Sequence, residues 1–64
     1  MGNYVENMKK EHEELLDNIR LLDDFIYGDE TFKTLNAAEQ ARMIKQSGFM
    51  EAYAKVLESR IWAA

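Results

Sequence analysis

The chain has 64 residues, three glycines, no proline, no cysteine and a formal net charge of −4. This length predicts one domain over residues 1–64, and the absence of cysteine excludes a disulfide framework and a thiolate metal site. No stretch has the roughly 18 apolar residues of a membrane span, the polar segment Met1–Lys10 is unlike a secretory signal, and no basic stripe is present. We therefore expect a cytoplasmic protein that binds neither membranes nor nucleic acid directly.

The first predicted helix runs from about residue 3 to residue 27 and is organised by a stripe with regular 3-4 spacing. Its members form the first half of the predicted hairpin core: Val5, Met8, His12, Leu15, Ile19, Leu22 and Ile26. Such spacing is typical of a helix that packs lengthwise against another helix. Asn3 followed by Glu6 predicts an N-cap, and Gly28 predicts a helix end with left-handed backbone.

The segment Asp29–Leu35 is the predicted connection, in which Phe32 lies on a single helical turn and closes the end of the hairpin. A second helix follows over about residues 37–62, with Asn36 as its N-cap. Its stripe supplies the second half of the predicted core: Met43, Ser47, Met50, Ala54, Leu57 and Ile61, preceded by Gln40. Gly48 lowers helix propensity in mid-helix, which indicates the close approach of another helix or a slight bend.

The two stripes match when the second helix folds back on the first. The pairs are Ile26 with Gln40, Leu22 with Met43, Ile19 with Ser47, Leu15 with Met50, His12 with Ala54, Met8 with Leu57 and Val5 with Ile61. Because every stripe position meets a stripe position, the sequence predicts an all-α antiparallel two-helix hairpin.

Additional apolar side chains lie outside the two stripes and predict that the hairpin self-associates. The expected oligomer interface consists of Tyr4, Leu16, Phe25, Phe49, Tyr53, Val56 and Trp62. A lone hairpin leaves such a surface exposed, and a small domain without disulfides or metal gains stability by association. We therefore expect a homo-oligomer, with a dimer that forms a four-helix bundle as the first expectation and a higher oligomer as the alternative.

The sequence offers no constellation for catalysis or metal binding. His12 begins a stretch similar to the zinc motif H-E-x-x-H, but Leu16 stands where the second histidine belongs. The carboxylates lie mostly on outward positions, and no serine has the strained turn and base that activate a nucleophile. We expect no enzyme, metal or cofactor. His12 is interpreted as a core residue that faces Ala54 and hydrogen-bonds near Tyr53, with a pH-sensitive contact as the alternative.

The aromatic side chains allow one ligand-binding alternative to simple packing. Tyr4 and Trp62 are both expected at the open end of the hairpin, where they would stack on a planar ligand between subunits. Arg60 and Lys9 would then neutralise a phosphate group of that ligand.

The pattern also resembles a known group of proteins. The residues that carry this resemblance are Asn3-Tyr4-Val5, Met8-Lys9, Glu11-His12-x-Glu14-Leu15, Phe25-Ile26, Phe32-Lys33-x-Leu35, Glu39-Gln40, Met50, Tyr53 and Val56-Leu57-Glu58-x-Arg60-Ile61. They resemble small accessory proteins encoded by bacteriophages and prophages, of the type found in the early accessory region of lambdoid phages. The resemblance implies a small helical oligomer that acts in the host cytoplasm by binding.

Three functions remain open at this point. The first is protein–protein interaction with a host or phage protein that modulates host physiology, phage development or host defence. The alternative is a sponge that binds a small cyclic nucleotide signal at subunit junctions. The third is an acidic mimic of nucleic acid, suggested by seven acidic against three basic residues in the first helix.

Overall fold

A computed structural model describes residues 3–64 and contains two long helices joined by a short one. The helices are α1 (Asn3–Gly28), α2 (Glu30–Thr34) and α3 (Ala37–Ala63). Helices α1 and α3 pack along each other, and the hairpin measures 48 × 15 × 13 Å. Residues 3–64 include no strand. This arrangement confirms the all-α prediction with two long helices, while α2 makes the connection more regular than a simple turn.

The bounds of α1 agree with the predicted ones, but the predicted capping at its two ends does not match the structure. Asn3 is already part of the helix, so its prediction as the N-cap is wrong, and the preceding residues lie outside the described ones. Gly28 does not have a positive φ, so the predicted left-handed helix end is also wrong. The amide of Asp29 still donates to the carbonyl of Phe25 at 3.3 Å, because the helical hydrogen bonding continues through Gly28.

The connection is ordered by side chains that satisfy the free backbone groups at its helix ends. Asp29 has extended backbone and accepts a 2.8 Å hydrogen bond from the amide of Thr31, so it caps α2. Asn36 accepts a 2.8 Å hydrogen bond from the amide of Glu39, which confirms it as the N-cap of α3. Gln40 lies in the first turn of α3, and its Nε2 donates to the carbonyls of Leu35 (2.9 Å) and Phe32 (3.1 Å).

The hydrophobic core lies between the middle parts of α1 and α3. Its central cluster contains Leu15, Ile19, Ala54 and Leu57, with Met50 packed against it. Leu57 is completely buried. At the loop end Phe32 is buried, and its ring meets that of Phe25 edge to face at a centroid distance of 6.1 Å. The core therefore extends from the long helices into the connection.

All positions of the two predicted stripes lie at least partly out of solvent. The buried ones are Met8, Leu15, Ile19, Ile26, Ser47, Ala54 and Leu57, and the half-buried ones are Val5, His12, Leu22, Met43, Met50 and Ile61. Ser47 adds a polar contact that the stripes did not predict, because its hydroxyl donates to Oδ1 of Asp23 at 2.5 Å. Asp23 lies one turn beyond Ile19, the residue predicted to face Ser47, so this contact is displaced by one helical turn from the predicted pair.

Gly48 has no packing role within the hairpin. A Cβ atom built on this residue would meet no atom of a neighbouring helix within 4 Å. The sequence-based explanation by close approach of another helix is therefore wrong for a single copy of the chain, because α1 packs on a different side of α3.

Candidate functional site

One candidate site is a groove on the outer surface of α3. This α3 groove has a volume of about 530 Å³ and is lined by Arg42, Lys45, Gln46, Phe49, Met50 and Tyr53. All six residues belong to one helix, so the groove is the space between side chains on one helical face rather than a cleft between two helices. Its volume lies within the roughly 300–1,000 Å³ that is typical of small-molecule sites.

The α3 groove lies on a longer stripe that runs beside the hairpin core. This α3 stripe keeps 3-4 spacing through Glu39, Arg42, Gln46, Phe49, Tyr53, Val56 and Arg60. Phe49 is 74% exposed, Val56 56% and Tyr53 44%, although each is a large hydrophobic or aromatic residue. The stripe therefore presents an apolar centre to solvent, which marks it as a surface for binding.

Positive charge surrounds the apolar centre of the α3 stripe. Arg42 approaches Glu39 at 2.9 Å, and this exposed ion pair connects neighbouring turns of the helix. Within residues 3–64 neither Lys45 nor Arg60 has a carboxylate oxygen within 4.0 Å. Two cationic groups are thus available to an anionic partner on a face that also carries aromatic rings.

A second groove lies between the helices and contains His12. This hairpin groove, of about 240 Å³, is lined by His12, Leu16, Ile19, Glu51, Ala54, Lys55 and Glu58. The structure brings His12 next to Ala54 along this groove, but Nε2 of His12 is buried and lacks a hydrogen-bond partner among residues 3–64. The expected hydrogen bond near Tyr53 is therefore not formed, and Tyr53 lines the α3 groove rather than the hairpin groove.

The open end of the hairpin holds only part of the predicted planar-ligand site. Nη2 of Arg60 lies 3.4 Å from the hydroxyl oxygen of Tyr4, so these two residues of α1 and α3 meet. Trp62 is 84% exposed and follows Arg60 by two residues, which places it about 200° around the helix at 3.6 residues per turn. Lys9 is about 140° around α1 from Tyr4 by the same geometry. Within one hairpin Trp62 and Lys9 therefore lie on other helical faces than Arg60 and Tyr4, and the site between subunits stays a prediction.

Two further predicted interface residues, Leu16 and Phe25, lie in the hairpin groove and at the loop end. Leu16 is 47% exposed beside His12 in the hairpin groove. Phe25 is half-buried against Phe32, so it already contributes to the hairpin itself. The sequence prediction missed Arg42, Lys45 and Gln46, although extending the spacing of Phe49, Tyr53 and Val56 backwards along the helix leads to Gln46 and Arg42.

The described residues do not bring together a set of metal ligands. No group of three or more histidine and carboxylate side chains within residues 3–64 has the proximity that a metal ion requires. None of the helices formed by those residues is long and apolar enough to cross a bilayer.

The fold and these surfaces define a small helical-hairpin protein with exposed sites for binding. Its sequence matches a family model described as Sequestin over residues 2–63, and the chain belongs to this Sequestin family. No curated protein and no solved structure matches the chain. Small proteins of this type are associated with bacteriophages, as are the accessory proteins that the sequence resembles.

Proposed function

We propose that this protein is a non-enzymatic phage accessory protein that sequesters a small nucleotide signal in the host cytoplasm. The observation that carries the proposal is the α3 groove, where Arg42 and Lys45 lie beside the rings of Phe49 and Tyr53. The family description supports capture of a ligand as the mode of action. The proposed ligand is a cyclic nucleotide.

The groove offers complementary groups for both parts of a nucleotide. Aromatic side chains bind bases by stacking, which contributes about 1–3 kcal/mol per base. A guanidinium group binds phosphate through paired hydrogen bonds, and the ammonium group of lysine adds a point charge. Arg42, Lys45, Phe49 and Tyr53 all line the groove, and because its wall is formed almost entirely by apolar atoms, the charged groups of Arg42 and Lys45 would meet a phosphate at its rim.

The distribution of charge favours a small ligand over a long nucleic acid. Helix α1 carries seven acidic and three basic residues, while α3 carries three acidic and four basic residues. A polynucleotide would have to follow a continuous basic surface, and the acidic α1 would repel it. A cyclic nucleotide bears few phosphates and contacts only the cationic face of α3.

Protein–protein interaction is the second candidate, and exposed apolar side chains favour it. Trp62 is 84% exposed and Phe49 is 74% exposed, and aromatic residues of this kind dominate the energetics of protein interfaces. A host or phage protein would bury these rings without requiring Lys45 or Arg42 to meet a phosphate. The acidic-mimic alternative instead depends on the carboxylates of α1.

Isothermal titration calorimetry of the purified protein tests the proposal with three probes: a panel of cyclic dinucleotides, a 5′-mononucleotide and inorganic phosphate. We expect saturable heat with at least one cyclic dinucleotide, because it presents bases and phosphates together. Saturable binding of inorganic phosphate alone would show a simple anion site and contradict the proposal. The absence of heat with every nucleotide would reject it in favour of a protein partner.

A matched pair of arginine variants tests the location of the site. Arg42→Gln should weaken binding of the cyclic nucleotide about tenfold, because charged hydrogen bonds contribute about 1.5–3 kcal/mol. Arg20→Gln is the control, since Arg20 has a similar side-chain exposure, 69% against 67%, and a similar ion pair with the acid three residues before it. Equal effects of the two variants would show that the ligand does not bind in the α3 groove.

A further inference from the structure

We propose that the α3 groove binds its ligand through the phosphates and the flat face of the base, without reading the edge of the base. One groove then accepts cyclic nucleotides that differ in their bases, and the phosphates decide which nucleotides bind. This inference rests on the proposed function and adds to it the feature of the ligand that the site selects.

The first argument is the composition of the groove wall. Phe49 and Met50 line the groove, and almost all of its wall consists of apolar atoms. Reading a base edge requires donors and acceptors at fixed positions, because the bases differ in those groups. A hydrophobic wall discriminates weakly between ligands of similar shape, whereas a wall with fixed polar groups rejects a ligand that leaves them unpaired. The composition of the α3 groove therefore favours binding that tolerates different bases.

Two side chains of the groove carry neutral hydrogen-bonding groups, and both are exposed. The amide of Gln46 donates to the sulfur of Met50 at 3.8 Å, and a thioether is a weak acceptor. The side chain of Tyr53 is 44% exposed, so its hydroxyl is accessible to water. Because an exposed group exchanges a hydrogen bond to water for one to the base, its net contribution to discrimination is small.

The second argument is the pair of exposed rings. Phe49 is 74% exposed and Tyr53 is 44% exposed, and both side chains line the groove. Tyr53 follows Phe49 by four residues, so the two side chains are neighbours on the same face of α3. Every base has a flat aromatic face, so stacking on these rings stabilises a bound base without distinguishing one base from another.

The third argument is the order of charges and rings along α3. Lys45 lies one helical turn before Phe49, and Arg42 lies one turn before Lys45. Long side chains of a helix point back toward its N-terminus, which carries both charged groups away from the rings. The ligand therefore lies along the helix, with its phosphates toward Arg42 and a base toward Tyr53.

The ion pair of Arg42 makes charge a condition for binding. Glu39 lies 2.9 Å from the guanidinium of Arg42, so a ligand has to replace this carboxylate. A phosphate can do so, because it forms strong charged hydrogen bonds with a guanidinium group. A ligand with fewer phosphates leaves more of the cationic rim without a partner, whichever base it carries.

Calorimetry with cyclic di-AMP, cyclic di-GMP and mixed cyclic GMP–AMP tests the tolerance of different bases. Adenine and guanine have similar stacking faces, but adenine presents a donor where guanine presents an acceptor. We expect dissociation constants within about fivefold of one another, because stacking is tolerant of the base. A larger difference would show that the base edge is read and would overturn this inference, while binding itself would still support the proposed function.

The linear dinucleotide ApA tests the role of the phosphates. It has the same two bases as cyclic di-AMP and one phosphate fewer. We expect it to bind about tenfold more weakly, since it loses charged hydrogen bonds at the rim. Equal affinities would contradict selection by the phosphates. Failure of every nucleotide to bind would reject the proposed function and this inference together.

Substitutions of Tyr53 and Gln46 test how the base is held. Tyr53→Leu removes a ring and should weaken cyclic di-AMP and cyclic di-GMP alike, by about tenfold. Tyr27→Leu makes the same change at a 76% exposed position of α1 and is the control. Circular dichroism establishes that the helices of each variant are intact.

Tyr53→Phe and Gln46→Leu remove only the hydroxyl and the amide. Neither substitution should alter the ratio of the affinities for cyclic di-AMP and cyclic di-GMP by more than about threefold. A larger change of this ratio in either variant would assign edge reading to that side chain and contradict the inference.

Discussion

At the scale of single residues, the structure assigns different physical roles to polar groups that share the hairpin interface. The hydroxyl of Ser47 is satisfied by the carboxylate of Asp23, which makes a small buried position compatible with a polar side chain. Nε2 of His12, by contrast, is buried without a partner in the part of the chain that the structure describes. An unsatisfied buried polar atom costs about 1–3 kcal/mol, so His12 is a point of weakness in the stability of the hairpin.

This difference predicts that His12→Leu stabilises the protein. Leucine fills a similar volume without a polar nitrogen, so we expect the free energy of unfolding to rise by about 1 kcal/mol and Tm by roughly 4–8 °C. Thermal melting at fixed protein concentration measures the change. His12→Gln, which keeps a polar group, is the control and should not raise Tm. A lower Tm for His12→Leu would show that the imidazole is satisfied in solution.

At the scale of elements, the conformation of the connection between α1 and α3 depends on Gln40 more than on Gly28, the glycine before the connection. Gly28 stays in helical conformation, whereas Gln40 reaches from α3 to two carbonyls at the end of α2. This side chain was predicted only as a member of the packing stripe. Its capping role depends on α2, a five-residue helix whose end the sequence did not indicate.

The capping role predicts a large effect of a nearly isosteric substitution. Gln40→Glu replaces a donor with a carboxylate that faces the carbonyl oxygens of Phe32 and Leu35, so the free energy of unfolding should fall by about 2 kcal/mol. Urea unfolding followed by circular dichroism measures it. Asn18→Asp adds the same charge at an exposed position of α1 and should change stability by less than about 0.5 kcal/mol. Similar effects of both variants would contradict the cap.

The sequence predicted the long elements well because helix periodicity is a repeated signal, and it predicted their ends less well. The 3-4 stripes recur over more than twenty residues, so an error at one position does not change the helix. The role of Gly28, by contrast, depends on one φ angle, and the hydrogen bonding of His12 depends on one side-chain direction. The α3 groove was missed for a different reason: its cations Arg42 and Lys45 look like ordinary exposed residues until their distance from Phe49 is known.

At the scale of the whole molecule, the hairpin separates charge between its two long helices. Helix α1 is strongly acidic, and α3 carries the cations and exposed rings of the α3 stripe. The net charge of −4 opposes nonspecific binding of nucleic acids, while the four basic and three acidic residues of α3 leave that helix without the negative charge that would repel a small anion. This separation supports the proposed capture of a compact phosphorylated ligand by a protein that is acidic as a whole.

The recovery of a captured ligand tests this account most directly. A cyclic dinucleotide that binds in calorimetry is incubated with excess protein, the free nucleotide is measured by chromatography after filtration, and the protein is then heat-denatured. We predict that free nucleotide disappears in proportion to the binding sites and returns chemically unchanged after denaturation. Nucleotide that stays free throughout, or that returns hydrolysed, would contradict sequestration by this protein.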